Sequence, residues 1–412
     1  MSEWNRRHLL AGLGAATAAS LWKPPTAAAL GLPTDKIKAI HYYEAPGAQP
    51  MVNQSGNIVV IETESGLRGI GEGGEPRTME ECARSLIGLD PFRSDAHWQR
   101  MVRGMHYVAG KEKLHSLGGI DLALWDLKGK ALGVPVWQLL GGKSRDHIEC
   151  YSTGFPRPSP TATMEDTARA CNAAGFQVYR FSTDNRTGVV DRFKVLRDTF
   201  NNCMKVQAAV GDGRWAIDFH TEFDPADAIR LAGMIDKADL HPYYVEDLIR
   251  SENVGAYETV RKLTNVPIAM GEQLGYKWDV NTLIESGNIN YVRIMLPNCG
   301  GITEYMKIIA LAETHYVGMI PHFTSPIAEA ALIHCLTATS VIALMEMLGD
   351  GSRTYSHLPK GFDFRNGKMW PNERPGLGVE VDVSKLKKIG EYTTYAMGMP
   401  LNKRPDGSYT QW

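Results

Sequence analysis

Trp215-Ala216-Ile217-Asp218-Phe219-His220 is a short apolar and aromatic run that ends on an acid, with a histidine two places on. The same form recurs in Tyr243-Tyr244-Val245-Glu246 and in Ile268-Ala269-Met270-Gly271-Glu272. Met295, His322 and Glu346 end three more such runs. Successive ends lie about 25 residues apart, the length of a strand, a loop and a helix, so the pattern reads as one βα unit repeated. Charged residues at strand C-termini are where a (β/α)8 barrel keeps its chemistry.

Working outward, strands three to eight are expected at 215–217, 243–245, 268–270, 291–294, 317–320 and 341–344, and strands one and two at 148–152 and 176–181. Upstream, a strand at 37–44 precedes a hairpin at 58–63 and 67–71, turned by Glu64-Ser65-Gly66. Helices are expected at 79–89, entered through Thr78, at 92–105, and around 117–130, stopped by Gly133 and Pro135. A hairpin followed by helices is an α+β arrangement, distinct from the alternation that follows it. Beyond Leu358 glycine and proline recur, and this tail is expected to pack back on the first domain. The domain plan is therefore a leader at 1–30, an α+β cap at 36–145, a barrel at 146–357 and a closing segment at 358–412.

A chain of 412 residues suits a barrel with a smaller domain. Its formal charge of -2 and its short basic runs exclude a dedicated nucleic-acid or anionic-membrane surface. None of the six cysteines stands in a CxxC pair, which argues against a thiolate metal site and for burial as small hydrophobes; an even count permits a bridge if the chain is exported. Asn5-Arg6-Arg7-His8-Leu9-Leu10 opens an Ala- and Gly-rich run to about Trp22, and Ala27-Ala28-Ala29 follows as a small-residue cleavage site. Paired arginines before a weakly apolar stretch resemble a twin-arginine export signal. A mature periplasmic chain would then begin near residue 30, and a cytoplasmic one is expected if the leader does not function. No later segment is long and apolar enough for a membrane span.

One carboxylate at a strand end is usually a surface residue or a cap. Asp218, Glu246 and Glu272 on consecutive strands would repel one another in a low-dielectric mouth, and a divalent cation resolves that repulsion. Oxygen ligands select a hard ion, Mg2+ before Mn2+, and disfavour zinc. Strand alternation turns Asp247 the other way, into the layer between barrel and helices. The same alternation puts His220 beside Asp218 if strand geometry persists for two residues. His322 lies further round the rim, so two imidazoles are available as acid and base. Glu346 is placed to hydrogen-bond a substrate carboxylate region or an imidazole. The loop at 49–55 and His106-Tyr107 are candidate covers for the mouth, with Arg157, Trp278 and Phe323 as candidate lining.

Gly119-Ile120-Asp121-Leu122-Ala123-Leu124-Trp125-Asp126, Gly133-Val134-Pro135 and Leu139-Leu140-Gly141-Gly142 together resemble the enolase superfamily, in its mandelate racemase-like group. Val245-Glu246-Asp247, Gly271-Glu272 and Gly300-Gly301-Ile302-Thr303 agree with it. Within that group Asp218-Phe219-His220 is similar to the sugar-acid dehydratases for galactonate, gluconate and mannonate. Arg180, Trp278-Asp279 and Tyr291-Val292-Arg293 lean toward the mannonate and gluconate branch. The resemblance implies a modified (β/α)8, TIM-like barrel whose α+β N-terminal capping domain is completed by the C-terminal tail. It implies one Mg2+ per site on Asp218, Glu246 and Glu272, a small carboxylate (sugar-acid) substrate, and a homo-oligomer.

The implied chemistry removes the proton α to the carboxylate, expels the 3-hydroxyl and yields a 2-keto-3-deoxy acid. His322 is the expected base, His220 the acid that assists the leaving hydroxyl, and Arg180 a carboxylate or enolate partner. Racemase-like members carry two lysines where this chain has Arg180 and Ser182, and arginine is too strongly protonated to act as a base. Many members pair the seventh-strand histidine with an aspartate on strand six, and here Met295 stands in that place. Mannonate-type enzymes draw a Tyr/Arg pair from a long loop after strand two, for which 183–190 leaves little room; Arg186 is at most a remnant of it. Epimerisation, cycloisomerisation and sugar-acid binding without turnover are the alternatives.

Overall fold

Three antiparallel strands open the cap in the computed structural model, which describes residues 31–47, 54–104, 107, 110–183, 191–323, 325–359 and 361–410. They are β1 (Ile37–Glu44), β2 (Ile58–Thr63) and β3 (Arg68–Glu72), followed by α1 (Pro76–Arg84), α2 (Ser94–Arg103), α3 (Lys111–Leu132) and the short α4 (Val136–Leu139). The leader expected at 1–30 lies outside the described residues. The first helix starts earlier than Thr78. Pro76 occupies its first turn and the Glu75 carboxylate accepts from the N–H groups of Arg77 and Thr78, so the cap is an acid and not the threonine.

The motif at 119–126 lies on α3, which is buried on nearly every side. Its glycines let backbones touch. A Cβ on Gly118 would stand 2.4 Å from the Pro297 carbonyl, and one on Gly71 of β3 would stand 1.9 Å from the Gly119 carbonyl. Its acids serve backbone donors in other elements. Asp126 accepts from Ile70 N at 2.9 Å and from Leu377 N at 2.8 Å, which ties β3 to the C-terminal tail.

The barrel alternates β4 (Ile148–Thr153), α5 (Met164–Ala173), β5 (Val178–Ser182), α6 (Arg192–Val210), β6 (Trp215–Asp218), α7 (Pro225–Lys237), β7 (Val245–Glu246), α8 (Tyr257–Lys262), β8 (Ile268–Met270), α9 (Lys277–Glu285), β9 (Tyr291–Val292), α10 (Ile302–Thr314), β10 (Gly318–Met319), α11 (Pro326–Thr337) and β11 (Leu344–Leu348). Neighbours from β4 to β10 pair in parallel, Met319 bridges Ala343, and β11 returns to pair with β4, so the ring closes. Among the described residues no α-helix follows β11. The hairpin of β12 (Asp363–Arg365) and β13 (Lys368–Trp370) comes instead, with β13 antiparallel to β4, which is the modification of the (β/α)8 plan. Finally β14 (Lys387–Tyr392) lies beside β1, so the cap sheet runs β14-β1-β2-β3 and the tail supplies its edge.

Period-two alternation sorts the barrel strands. Tyr151, Val178, Ala216, Tyr244, Ala269, Ile320 and Leu344 point inward as an apolar plug, with Tyr291 packed against it. Phe181, Ile217, Val245, Met270, Val292, Met319 and Met345 point outward into the core beneath the helices. At the C-terminal face of the strands the cap grips two helices by their N-termini. Asp121 accepts from Thr303 N at 2.9 Å at the start of α10, and Glu72 from Ile327 N and Ala328 N at 2.7 and 3.0 Å at the start of α11. Those helices leave the C-terminal ends of β9 and β10, so these bonds seat the cap on the face where barrel chemistry lies. All six cysteines are buried and unbridged. No helix among the described residues is long and apolar enough to cross a membrane.

Candidate active site

Two residues beyond each member of the apolar plug stands the next inward position: Thr153, Arg180, Asp218, Glu246, Gly271, Arg293, His322 and Glu346. One step of the pleat thus changes an apolar floor into a ring of charge. The step is governed by alternation alone, because each plug residue and its ring partner share one strand face.

Arg180 reaches across the ring. Its Nε lies 2.8 Å from Glu246 Oε2, and its Nη2 donates to Asp218 Oδ2 at 2.8 Å and to Glu246 Oε1 at 3.2 Å. Arg293 holds the other side, with Nε 2.6 Å from Glu246 Oε1 and Nη2 3.0 Å from Glu346 Oε2 and 3.6 Å from Glu272 Oε2. It also donates to the Tyr151 hydroxyl. Arg293 is fully buried, and the sequence alone assigns it no site role. Its signal was a charged residue in an otherwise apolar strand, two places past the inward-facing Tyr291. Burial opposes the charge on both arginines, but the carboxylates around them overrule it and hold each guanidinium firmly protonated. Burial likewise opposes ionisation of Glu346, and Arg293, Arg180 and His322 overrule it, so its carboxyl is held well below the usual range. Glu346 also accepts from Thr153 Oγ1 at 2.5 Å and from Phe323 N at 2.9 Å.

His322 is buried in the rim and stacks on Phe323 at 4.3 Å between ring centroids. Its Nδ1 lies 2.7 Å from the Phe323 carbonyl, and its Nε2 lies 3.5 Å from Glu272 Oε2. A carbonyl can only accept, so in the neutral ring Nδ1 carries the hydrogen and the Nε2 lone pair faces Glu272. Met295 is buried and offers no acid, and the main-chain carbonyl orients the imidazole in its place. Burial opposes charge on Glu272 too, yet His322 and Arg293 draw its carboxyl below the ordinary value.

Two expectations from strand alternation fail at the strand ends. Asp247 does not point away into the helix layer. β7 stops at Glu246, Asp247 takes a left-handed φ of 41°, and its carboxylate joins those of Glu246 and Glu272 with ligand oxygens within 4.8 Å of one another. His220 takes φ 49° and is exposed, and its main-chain N–H, not its ring, bonds Asp218 Oδ1 at 2.6 Å. In both places the pleat has already ended, β6 at Asp218 and β7 at Glu246. Trp278 is 54% exposed on α9 against Tyr276 and Lys277, and Arg157 is exposed, so neither stands in the charged ring. Of the expected cover at 49–55, residues 49–53 lie outside the described set, as do His106 and Arg186. Tyr107 is 77% exposed.

Residues 47–141 match the mandelate racemase/muconate lactonizing enzyme N-terminal domain, and residues 163–385 match the enolase C-terminal domain-like model. The chain belongs to the enolase superfamily. It is an enzyme of the mandelate racemase/muconate lactonizing group, with a barrel and a capping subdomain. It is 32% identical over 387 residues to a D-galactonate dehydratase family member from Streptomyces bingchenggensis, covering 85% of this chain and 93% of that one. A D-galactonate dehydratase from Cronobacter sakazakii is 32% identical over 376 residues, covering 85% and 95%. A crystal structure of an enolase-superfamily member from Salmonella Typhimurium superimposes with TM-score 0.77 at 25% identity, over 86% of this chain and 99% of that one. The donor set suits the divalent cation that the superfamily implies. Both oxygens of Asp247 and Oε2 of Glu272 are buried with no hydrogen-bond partner, and hard carboxylate oxygens are what such an ion binds.

Proposed function

We propose that the protein is a Mg2+-dependent acid-sugar dehydratase that converts an aldonate into its 2-keto-3-deoxy acid. The observation that carries this reading is the single ring in which the strand-end acids, two buried guanidiniums and the Nε2 of His322 converge. The relatives' dehydratase names point the same way. Asp218, Glu246 and Glu272 would hold the cation, which when bound supplies the positive charge that makes the proton α to a carboxylate removable.

His322 takes that proton at Nε2, and the Phe323 carbonyl keeps the required tautomer in place. Arg293 and Arg180, permanently charged and planar, orient carboxylate oxygens and offset negative charge as it develops. Glu346 fixes Arg293 and, through Phe323 N, the loop that carries the base. His220 delivers a proton from the rim so that the 3-hydroxyl leaves as water. Its ring is exposed at the rim.

The test is incubation with a panel of aldonic acids and Mg2+, with mass-spectrometric detection of a product lighter by one water. Mg2+ binding without turnover of any acid would sink the reading. The exposed ring of His220 favours one rival: if that acid does not reach C3, the same site exchanges the α-proton and epimerises. Solvent deuterium at C2 of recovered, undehydrated substrate would then be the outcome.

A further inference from the structure

Acceptor oxygens around the ring are almost all spent. Asp218 uses Oδ1 on the His220 N–H and Oδ2 on Arg180. Glu246 uses both oxygens on Arg180 and Arg293. Glu346 uses Oε1 on Thr153, and Oε2 on Arg293 and Phe323 N. Asp247 uses neither. It is 0% exposed, and both of its oxygens are buried with no donor.

The backbone of Asp247 is held on both sides. Its N–H donates to Ala269 O on β8 at 3.0 Å and its carbonyl accepts from Thr221 N, in the turn after β6, at 2.9 Å. Between those bonds it holds a left-handed φ of 41°, which a residue with a Cβ adopts at a cost. A buried unpaired carboxylate and a disfavoured backbone angle at one position call for something that rewards both.

We propose that Asp247 is a fourth carboxylate ligand of the cation, beside Asp218, Glu246 and Glu272. This rests on the metal-dependent reading above and adds a ligand to it. Hard cations accept several oxygens, and Arg180 and Arg293 already offset much of the negative charge on the other acids, so the additional acid does not overload the site.

The full chain, crystallised with Mn2+ in place of Mg2+, should show an anomalous peak with an Asp247 oxygen at a ligating distance of about 2.1 Å. In calorimetric titrations Asp247→Asn should bind Mn2+ at least tenfold more weakly than wild type. Without metal, the variant should melt no lower than wild type, because an amide replaces a buried carboxyl that has no hydrogen-bond donor. Mn2+ seated on Asp218, Glu246 and Glu272 with Asp247 out of reach, or a variant that binds as tightly as wild type, overturns the proposal and leaves the dehydratase reading intact. If wild type binds no Mn2+ at all, both fall. The wild-type map decides the matter even if the variant fails to fold.

Discussion

The Nδ1–H of His322 is committed to the Phe323 carbonyl, so its Nε2 faces Glu272 whatever occupies position 295. An aspartate at that position is therefore dispensable for orienting the ring. His322→Asn should lower kcat by about 10^2 to 10^4, the usual worth of a positioned base, while Mn2+ affinity measured by calorimetry stays within a few-fold. Arg293 is the charge on which Glu246 and Glu346 depend. Arg293→Met removes the buried guanidinium that faces Glu346 and one side of Glu246, and should destabilise the metal-free protein by about 3–5 kcal/mol in urea unfolding. Saturating Mg2+ should recover part of that loss, because the ion supplies positive charge to the same oxygens. Arg180, Asp218, Glu246 and Glu346 are readable as ring positions because each sits within a strand, and His322 because the alternation of β10 carries on past its end. Asp247 and the ring of His220 were misread because the pleat had already ended, and no residue-level pattern marks that point.

Packing of β3 on α3 shows why the cap's glycines stand where they do. The two backbones approach until a Cβ on Gly71 would lie 1.9 Å from the Gly119 carbonyl, and no rotamer change relieves a clash with main chain. Gly71→Ala should cost about 3 kcal/mol or more, read as a lowered melting temperature or loss of soluble protein, with the helical signature of the barrel retained in any folded fraction. The same element explains why α3 keeps acids inside a buried helix. Asp121 satisfies the first turn of α10 and Asp126 the N–H groups of Ile70 and Leu377, so each replaces water at a backbone donor. Helix α3 was legible as a helix from its apolar spacing. Its length and its partners were not, because those donors come from β3, from α10 and from the tail.

Across the whole molecule, burial of neutral histidines sets an acid limit. His334 on α11 accepts from Trp137 N at Nδ1 and donates to Leu377 O at Nε2, joining the barrel to α4 and the tail. Burial pushes its pKa down to about 4, and does the same to His115 on α3. An unfolded histidine takes up its proton near 6.5, so between there and 4 the unfolded chain binds more protons than the folded one. The stabilisation is complete above about pH 6.5 and is lost as the pH falls toward 4, by ~2 kcal/mol for each ring at pH 5. His334→Gln should remove one such share, so its unfolding free energy between pH 7 and pH 5 should fall ~2 kcal/mol less than that of wild type. Equal slopes for the two proteins would refute this. Repeated strand-end acids, spaced by whole βα units, determined the barrel and the neighbourhood of its chemistry, because alternation along a strand is a local property of the chain. Closure of the ring, the seating of Asp121 and Glu72 on the helix starts, the place of Arg293 among the acids and the turn of Asp247 were decided only in three dimensions. Each depends on a partner brought from a distant part of the chain, or on where a strand stops, and neither is written in the period of the residues around it.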